Sequence, residues 1–191
     1  LNHALTAYGY AEIADSDVSQ HIGPPLDNVF RTLTGSASSG LIRDLVAKYR
    51  ERYAEVGFAE NTLYAGIPEV LASLDEQGCV LGVCTSKRSD FAEKILRRFD
   101  IRQRFSFVHG GDIGVDKTVQ IRDLVLTGTI ARASTMIGDR AVDINAAKRN
   151  GLGSVGVLWG HGSQTELLEA GADRILERVA ELGSLGRLHA T

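Results

Sequence analysis

Apolar positions in the first third of the chain recur at helical rather than alternating spacing. Leu41, Ile42, Leu45, Val46 and Tyr49 share one face of a 3.6-residue period, and Tyr53 extends it. Earlier, Asp15, Ser16 and Asp17 offer N-cap oxygens to a short helix running towards His21, which Gly23-Pro24-Pro25 ends. A second helix through Leu26, Val29, Phe30 and Leu33 follows. No stretch here alternates as a strand does. The pattern predicts an all-α segment of short helices whose Tyr and Phe side chains pack between them.

After Gly66-Ile67-Pro68 the texture changes. Short apolar runs alternate with helical segments, as β-α-β units around a buried parallel sheet require. Strands are expected over residues 80–84, 105–109, 135–137, 154–158 and 174–176. Gly78 follows the helix carrying Val70, Leu71 and Leu74, and Asn150-Gly151 follows the one carrying Val142, Ile144 and Ala147, both suitable helix stops. The fold class is therefore α/β, preceded by helices.

At 191 residues the chain suits one domain, or a domain with a small appendage. Its longest apolar runs fall well short of the roughly 18 residues a membrane span needs, so no membrane association is expected. A net charge of -3 supplies no long-range positive field, which argues against a nucleic-acid partner but leaves room for a local basic pocket. Cys79 and Cys84 are too far apart for a Cys-x-x-Cys motif and sit in apolar, strand-like surroundings. They read as buried free thiols, which points to a reducing, cytoplasmic location. The start, Leu1-Asn2-His3-Ala4, has neither an initiator methionine nor a signal-like leader and reads as the interior of a longer sequence.

Three polar groupings are candidates for chemistry. Thr85-Ser86-Lys87 lies just past a strand's C-terminal end, where open parallel sheets place ligand crevices. Its hydroxyls and amides can receive phosphate oxygens beside a helix N-terminus, although the same residues suit a simple turn or cap. Lys117, in the polar loop 112–118, offers a compact charge for a phosphate and an acidic cluster, or merely a solvated ammonium. In Gly138-Asp139-Arg140-Ala141-Val142-Asp143, a helix starting after Asp139 puts the two carboxylates one turn apart on a common crevice. Magnesium needs only one or two such carboxylates plus substrate oxygens and water. Helix capping by Asp139 and a surface ion pair for Asp143 is the competing reading. His3, His21, His109, His161 and His189 show no ligand spacing, and His21, before the turn at Gly23, is the one placed to face a ligand. Neither a Gly-x-Ser-x-Gly elbow nor a Walker phosphate loop occurs.

In this order, Thr85-Ser86-Lys87, Lys117 and the segment from Gly138 to Asp143 resemble the second, third and fourth motifs of the haloacid dehalogenase (HAD) phosphatases. Gly160-His161-Gly162-Ser163, with Glu166-Leu167 and Ala170-Gly171-Ala172-Asp173, is similar to the closing segment of that superfamily's phosphoglycolate-phosphatase-like branch. Ile22-Gly23-Pro24-Pro25-Leu26 resembles its helical cap, and Tyr64-Ala65-Gly66-Ile67 its return hinge. The resemblance spans nearly the whole chain. It implies a Rossmann-like three-layer core with a parallel sheet over residues 65–191 and a small all-α cap over residues 1–64. It further implies Mg²⁺-dependent hydrolysis of a small phosphorylated metabolite through an aspartyl-phosphate.

Under the resemblance Thr85 or Ser86 holds a phosphoryl oxygen, and Lys87, Gly23 and His21 lie on the substrate side. Lys117 stabilises charge on nucleophile and phosphate, Asp139 binds magnesium, and Asp143 supports the metal through water or Lys117. The cap closes over the site and excludes water. Two departures matter. Arg88 stands where relatives often have proline, which affects only loop stiffness. The first motif, an apolar strand ending Asp-x-Asp-Gly-Thr, is absent, since neither Asp15-Ser16-Asp17 nor Asp112 follows an apolar strand. The nucleophile is therefore expected upstream of residue 1, about 20–25 residues away, and residues 1–191 alone are expected to be inactive. The first core strand would be missing from the centre of the sheet, leaving its neighbours without ladder partners. A non-catalytic phosphate- and metal-binding module or truncated fragment, and a phosphomutase or phosphonatase of the same superfamily, use the same residues. Oligomeric state is not legible in the pattern.

Overall fold

The computed structural model describes residues 1–186, so His189 lies outside the described residues. The first part is helical: α1 (Asn2–Ala7), α2 (Asp15–Val18) continued by a 3-10 turn (Ser19–His21), α3 (Leu26–Thr34) and α4 (Ser39–Glu55). Ala4 and Leu5 of α1, Phe30 of α3, and Ile42, Leu45 and Val46 of α4 form its core. Each large side chain buried here contributes about 1.5–3 kcal/mol. Ser38 caps α4, its Oγ accepting from the Leu41 amide. The expected Asp15–Asp17 cap is not formed. Ala14 occupies the N-cap position, and both aspartates lie in the first turn of α2, where the helix dipole favours them.

Gly66, at φ +85°, turns the chain into α5 (Ile67–Glu76), with Pro68 in its first turn. The α/β part then runs β1 (Gly82–Thr85), α6 (Ser89–Arg98), β2 (Phe107–Gly110), α7 (Lys117–Leu126), β3 (Thr135–Gly138), α8 (Ala141–Arg149), β4 (Gly153–Val157), α9 (Gln164–Glu169) and β5 (Arg174–Leu176). All five expected strands exist. β1 starts two residues later than the apolar run suggests, because Val80 is 80% exposed and outside the ladder. β2 is likewise displaced towards its C-terminus: a 3-10 turn (Arg102–Arg104) precedes it, and the Phe105 carbonyl accepts from the Arg102 guanidinium.

Every strand pairing is parallel, but the pairings form two separate ladders. β1 pairs with β2, Val83 opposite Val108; β3 pairs with β4 and β4 with β5, Ile137 opposite Val155 and Gly156 opposite Ile175. No ladder joins β1 to β3 among the described residues, and Ile137, within β3, is 39% exposed. Helices bracket both halves nonetheless. On one face Ile121 and Leu124 of α7 and Ala146 and Ala147 of α8 pack with Cys84, Phe107 and Met136, drawing on β1, β2 and β3. On the other, Val70 and Leu74 of α5 pack with Val155, Val157, Leu176 and Leu182. The result is three layers with one side of the crevice built from each ladder.

Candidate active site

The loop after β1 is fixed by its own backbone. Thr85 Oγ1 accepts from the Lys87 amide at 3.2 Å, and the Thr85 carbonyl accepts from Gln120 Nε2 at 3.2 Å, a side chain buried to 1% exposure. The Lys87 carbonyl accepts from the Gly111 amide at 3.0 Å, and Ser89 Oγ accepts from the Gly110 amide at 2.9 Å. This approach is so close that a Cβ at Gly110 would overlap the Ser89 amide. Thr85 thus spends a lone pair internally and keeps its O–H to donate, while Ser86 Oγ has no hydrogen-bond partner among the described residues.

Lys117 opens α7. Asp116 Oδ1 caps the helix by accepting from the Thr118 amide at 2.6 Å, which aims the Lys117 side chain inward. Its ammonium pairs with Asp143 Oδ1, the two side chains being only 12% and 5% exposed. Asp143 Oδ2 accepts from the Arg140 amide at 3.1 Å at the start of α8. Gly138 is required there, since a Cβ would overlap the Asp143 side chain. The surface ion pair considered for Asp143 is thereby replaced by a buried one.

Asp139 does not cap α8 either. Its Oδ2 accepts from the His161 amide at 2.7 Å, and Gly160 and Gly162 press on it so closely that a Cβ at either position would overlap Asp139. Arg140 occupies the cap position and bridges outward. Its Nε donates to Glu166 Oε1 at 2.9 Å, and its Nη1 donates to the Ile22 carbonyl in the helical part. Burial alone would raise the Glu166 carboxyl, but hydrogen bonds from the Ala141 amide and Arg140 hold it below the usual range. A second link across the crevice joins Arg50 of α4 to Asp112 at 2.8 Å. That guanidinium, with the Ile113 amide, holds the Asp112 carboxyl below its usual range.

These elements enclose a cavity of about 390 Å³. His21, Gly23, Thr85, Ser86, Lys87, Lys117, Asp139 and Asp143 all line it, so these eight candidate residues share one crevice. Gly23 holds φ +119° against Arg140, whose Cγ would lie 3.0 Å from a Cβ there. Tyr49, Arg50, Tyr53, Phe91 and Arg140 are also among the lining residues, and sequence reasoning assigned them no role in the site. The helical stripe containing Tyr49 and Tyr53 reads only as packing. Burial, with Tyr53 alongside, pushes the Tyr49 phenol up to about 12. Burial also pushes the Cys84 thiol behind the crevice up to about 11, against the opposing pull of Lys117.

No cluster of three or more His, Cys, Asp or Glu forms among the described residues. The crevice does offer Asp139 Oδ1, which has no hydrogen-bond partner there, while both Asp143 oxygens are engaged. One carboxylate oxygen without a protein partner, on a residue that lines the crevice, fits a hard divalent ion that keeps water and takes substrate oxygens.

With this geometry in place, the sequence comparison identifies the class. The chain belongs to the haloacid dehalogenase-like hydrolases, the family description that matches residues 1–157, and to their phosphoglycolate-phosphatase-like branch. It is 36% identical over 171 residues to a 5'-nucleotidase of Pseudomonas aeruginosa, covering 87% of this chain and 77% of that one. A phosphoglycolate phosphatase of Vibrio parahaemolyticus is 31% identical over 192 residues, covering 95% and 84%. The tyrosine-protein kinase PtkA of Mycobacterium tuberculosis is 31% identical over 190 residues, and the chain spans 64% of its length. Among solved structures, a predicted phosphatase from Clostridium acetobutylicum superposes with a TM-score of 0.89 at 31% identity, over 96% of this chain and 87% of that one.

Proposed function

We propose that the protein is a Mg²⁺-dependent phosphomonoester hydrolase acting on small phosphorylated metabolites through an aspartyl-phosphate. The observation that carries this reading is the meeting of two hydroxyls, Lys117 and Asp139 at one cavity of about 390 Å³, a volume suited to a small ligand. Phosphoryl transfer depends chiefly on positioning and on charge stabilisation, and the crevice provides both. Thr85 Oγ1, already accepting from the Lys87 amide, would donate its proton to a phosphoryl oxygen, with Ser86 beside it. Lys117, held by Asp143, would present its ammonium to the nucleophile and phosphate. Asp139 Oδ1 would hold the metal, and Asp143 would act on it through water or Lys117. When bound, the ion would supply positive charge against the phosphoryl oxygens.

The nucleophilic aspartate is expected on the first-motif strand, which residues 1–191 do not contain. The 5'-nucleotidase and phosphoglycolate phosphatase relatives favour small esters as substrates. In this reading residues 1–64 form a cap that closes through the Arg140–Ile22 and Arg50–Asp112 contacts, and residues 65–191 form the core. Two free thiols, Cys79 and Cys84, support a cytoplasmic location, and no described helix is long and apolar enough to cross a membrane. The net charge of -3 disfavours nucleic acid. The test is phosphate release by the full-length gene product from a panel of small phosphomonoesters with Mg²⁺. Release from at least one ester is expected; none from any would leave a binding module.

A further inference from the structure

Among the described residues, the Lys and Arg side chains lining the crevice divide into four already neutralised and one that is not. Arg50 pairs with Asp112 at 2.8 Å, Arg88 with Asp90 at 2.6 Å, Lys117 with Asp143, and Arg140 with Glu166 at 2.9 Å. Lys87 Nζ has no carboxylate and no hydrogen-bond acceptor among the described residues. It sits instead over the Tyr53 ring, 4.8 Å from the centroid. Tyr53 is itself held on two sides. It stacks on Tyr49 at 5.6 Å and 18°, and meets Phe91 of α6 edge-on at 5.1 Å and 73°. The Lys87 backbone is fixed through its bonds to Thr85 Oγ1 and Gly111. Both ends of the contact are therefore anchored, one in the helical part and one in the core.

A carboxylate partner would have cancelled the Lys87 charge. An aromatic face attracts the ammonium through its quadrupole while leaving the net charge on it, at an interaction of modest strength. We infer that Tyr53 is a positioning residue: its ring holds the Lys87 ammonium in the crevice, uncompensated, for the anionic group of the ligand. The inference rests on the phosphomonoesterase reading for the identity of that ligand. It explains why an aromatic stripe of α4 reaches beyond the helical core to the crevice. Tyr53 acts through Lys87 and touches no reacting atom.

The test measures inorganic phosphate affinity by calorimetry, and the KM and kcat for a hydrolysed ester, in the full-length gene product. Tyr53→Leu should weaken phosphate binding and raise KM about fivefold with kcat little changed, and Tyr53→Phe, which keeps the ring face, should restore both. In a Lys87→Gln background Tyr53→Leu should have no further effect on phosphate affinity. A merely structural role would weaken binding equally in both backgrounds, and that result overturns the inference. So does unchanged affinity in Tyr53→Leu, or a wild type that does not bind phosphate. Should Tyr53→Leu fail to fold, judged by its thermal melt, Tyr53→His and Lys87→Gln carry the same cycle. Phosphate binding that depends on Tyr53 without any ester hydrolysis would sink the enzyme reading and leave this inference standing.

Discussion

Lys117 and Asp143 form an ion pair beneath the crevice, with side chains 12% and 5% exposed, that ties the start of α7 to the start of α8. Removing one member leaves the other charged in a site with little water. Lys117→Met or Asp143→Asn should therefore cost about 3–5 kcal/mol of stability, measured by urea unfolding. The double variant should cost less than the sum, because no orphan charge remains. Strict additivity would show that the two side chains do not depend on each other.

Alkaline pH should destabilise the protein by a route that starts at Cys84 and Tyr49. Both groups have folded values above their ordinary ones, about 11 and about 12, because burial disfavours the charged form. Such groups stabilise the fold fully below their unfolded values and lose that contribution as pH rises through the folded ones. The melting temperature should fall between about pH 9 and 12, and Cys84→Ala should flatten the first part of that fall. At pH 8 roughly one Cys84 thiol in a thousand is ionised, so alkylation there should be slow. Rapid labelling of Cys84 at pH 8 would show that this half-buried thiol is not shifted.

The glycines around Asp139 predict a pair of defects. A Cβ at Gly160 would overlap the Asp139 side chain, whereas one at Gly162 would overlap its backbone carbonyl. The Asp139 Cβ, 2.3 Å from the added atom at Gly160, is fixed to the backbone and can no more rotate away than the carbonyl can move. Gly160→Ala and Gly162→Ala should thus each reduce activity at fixed Mg²⁺ by about 10–100-fold, the range for groups that orient metal ligands. Equal activity of both variants and wild type would mean that this loop does not hold Asp139 in place.

The sequence was most informative where chemistry and pattern coincide. Thr85, Lys117 and Asp139 each follow an expected strand end or open an expected helix, and parallel topology brings such ends to one rim. Element types were legible because periods of 3.6 and short apolar runs differ plainly; boundaries were not. Val80 is as apolar as any strand residue yet 80% exposed, and only tertiary packing decides that. Capping was misread at Asp15 and Asp17, where the structure puts Ala14 at the cap. The partners of Asp139 and Asp143 lie 22 and 26 residues away, at His161 and Lys117, beyond any local pattern. Tyr53 stayed hidden for a related reason: one helical face serves both core and crevice, and spacing does not separate the two uses.

Asp139 supplies the most direct test of the proposed chemistry. Phosphate release by the full-length gene product should be followed as Mg²⁺ is titrated, for wild type and for Asp139→Asn, which keeps the size and loses the charge. Strong stimulation of the wild type and none of the variant, with similar melting temperatures, are expected. Identical Mg²⁺ dependence in the two proteins would contradict the proposed chemistry.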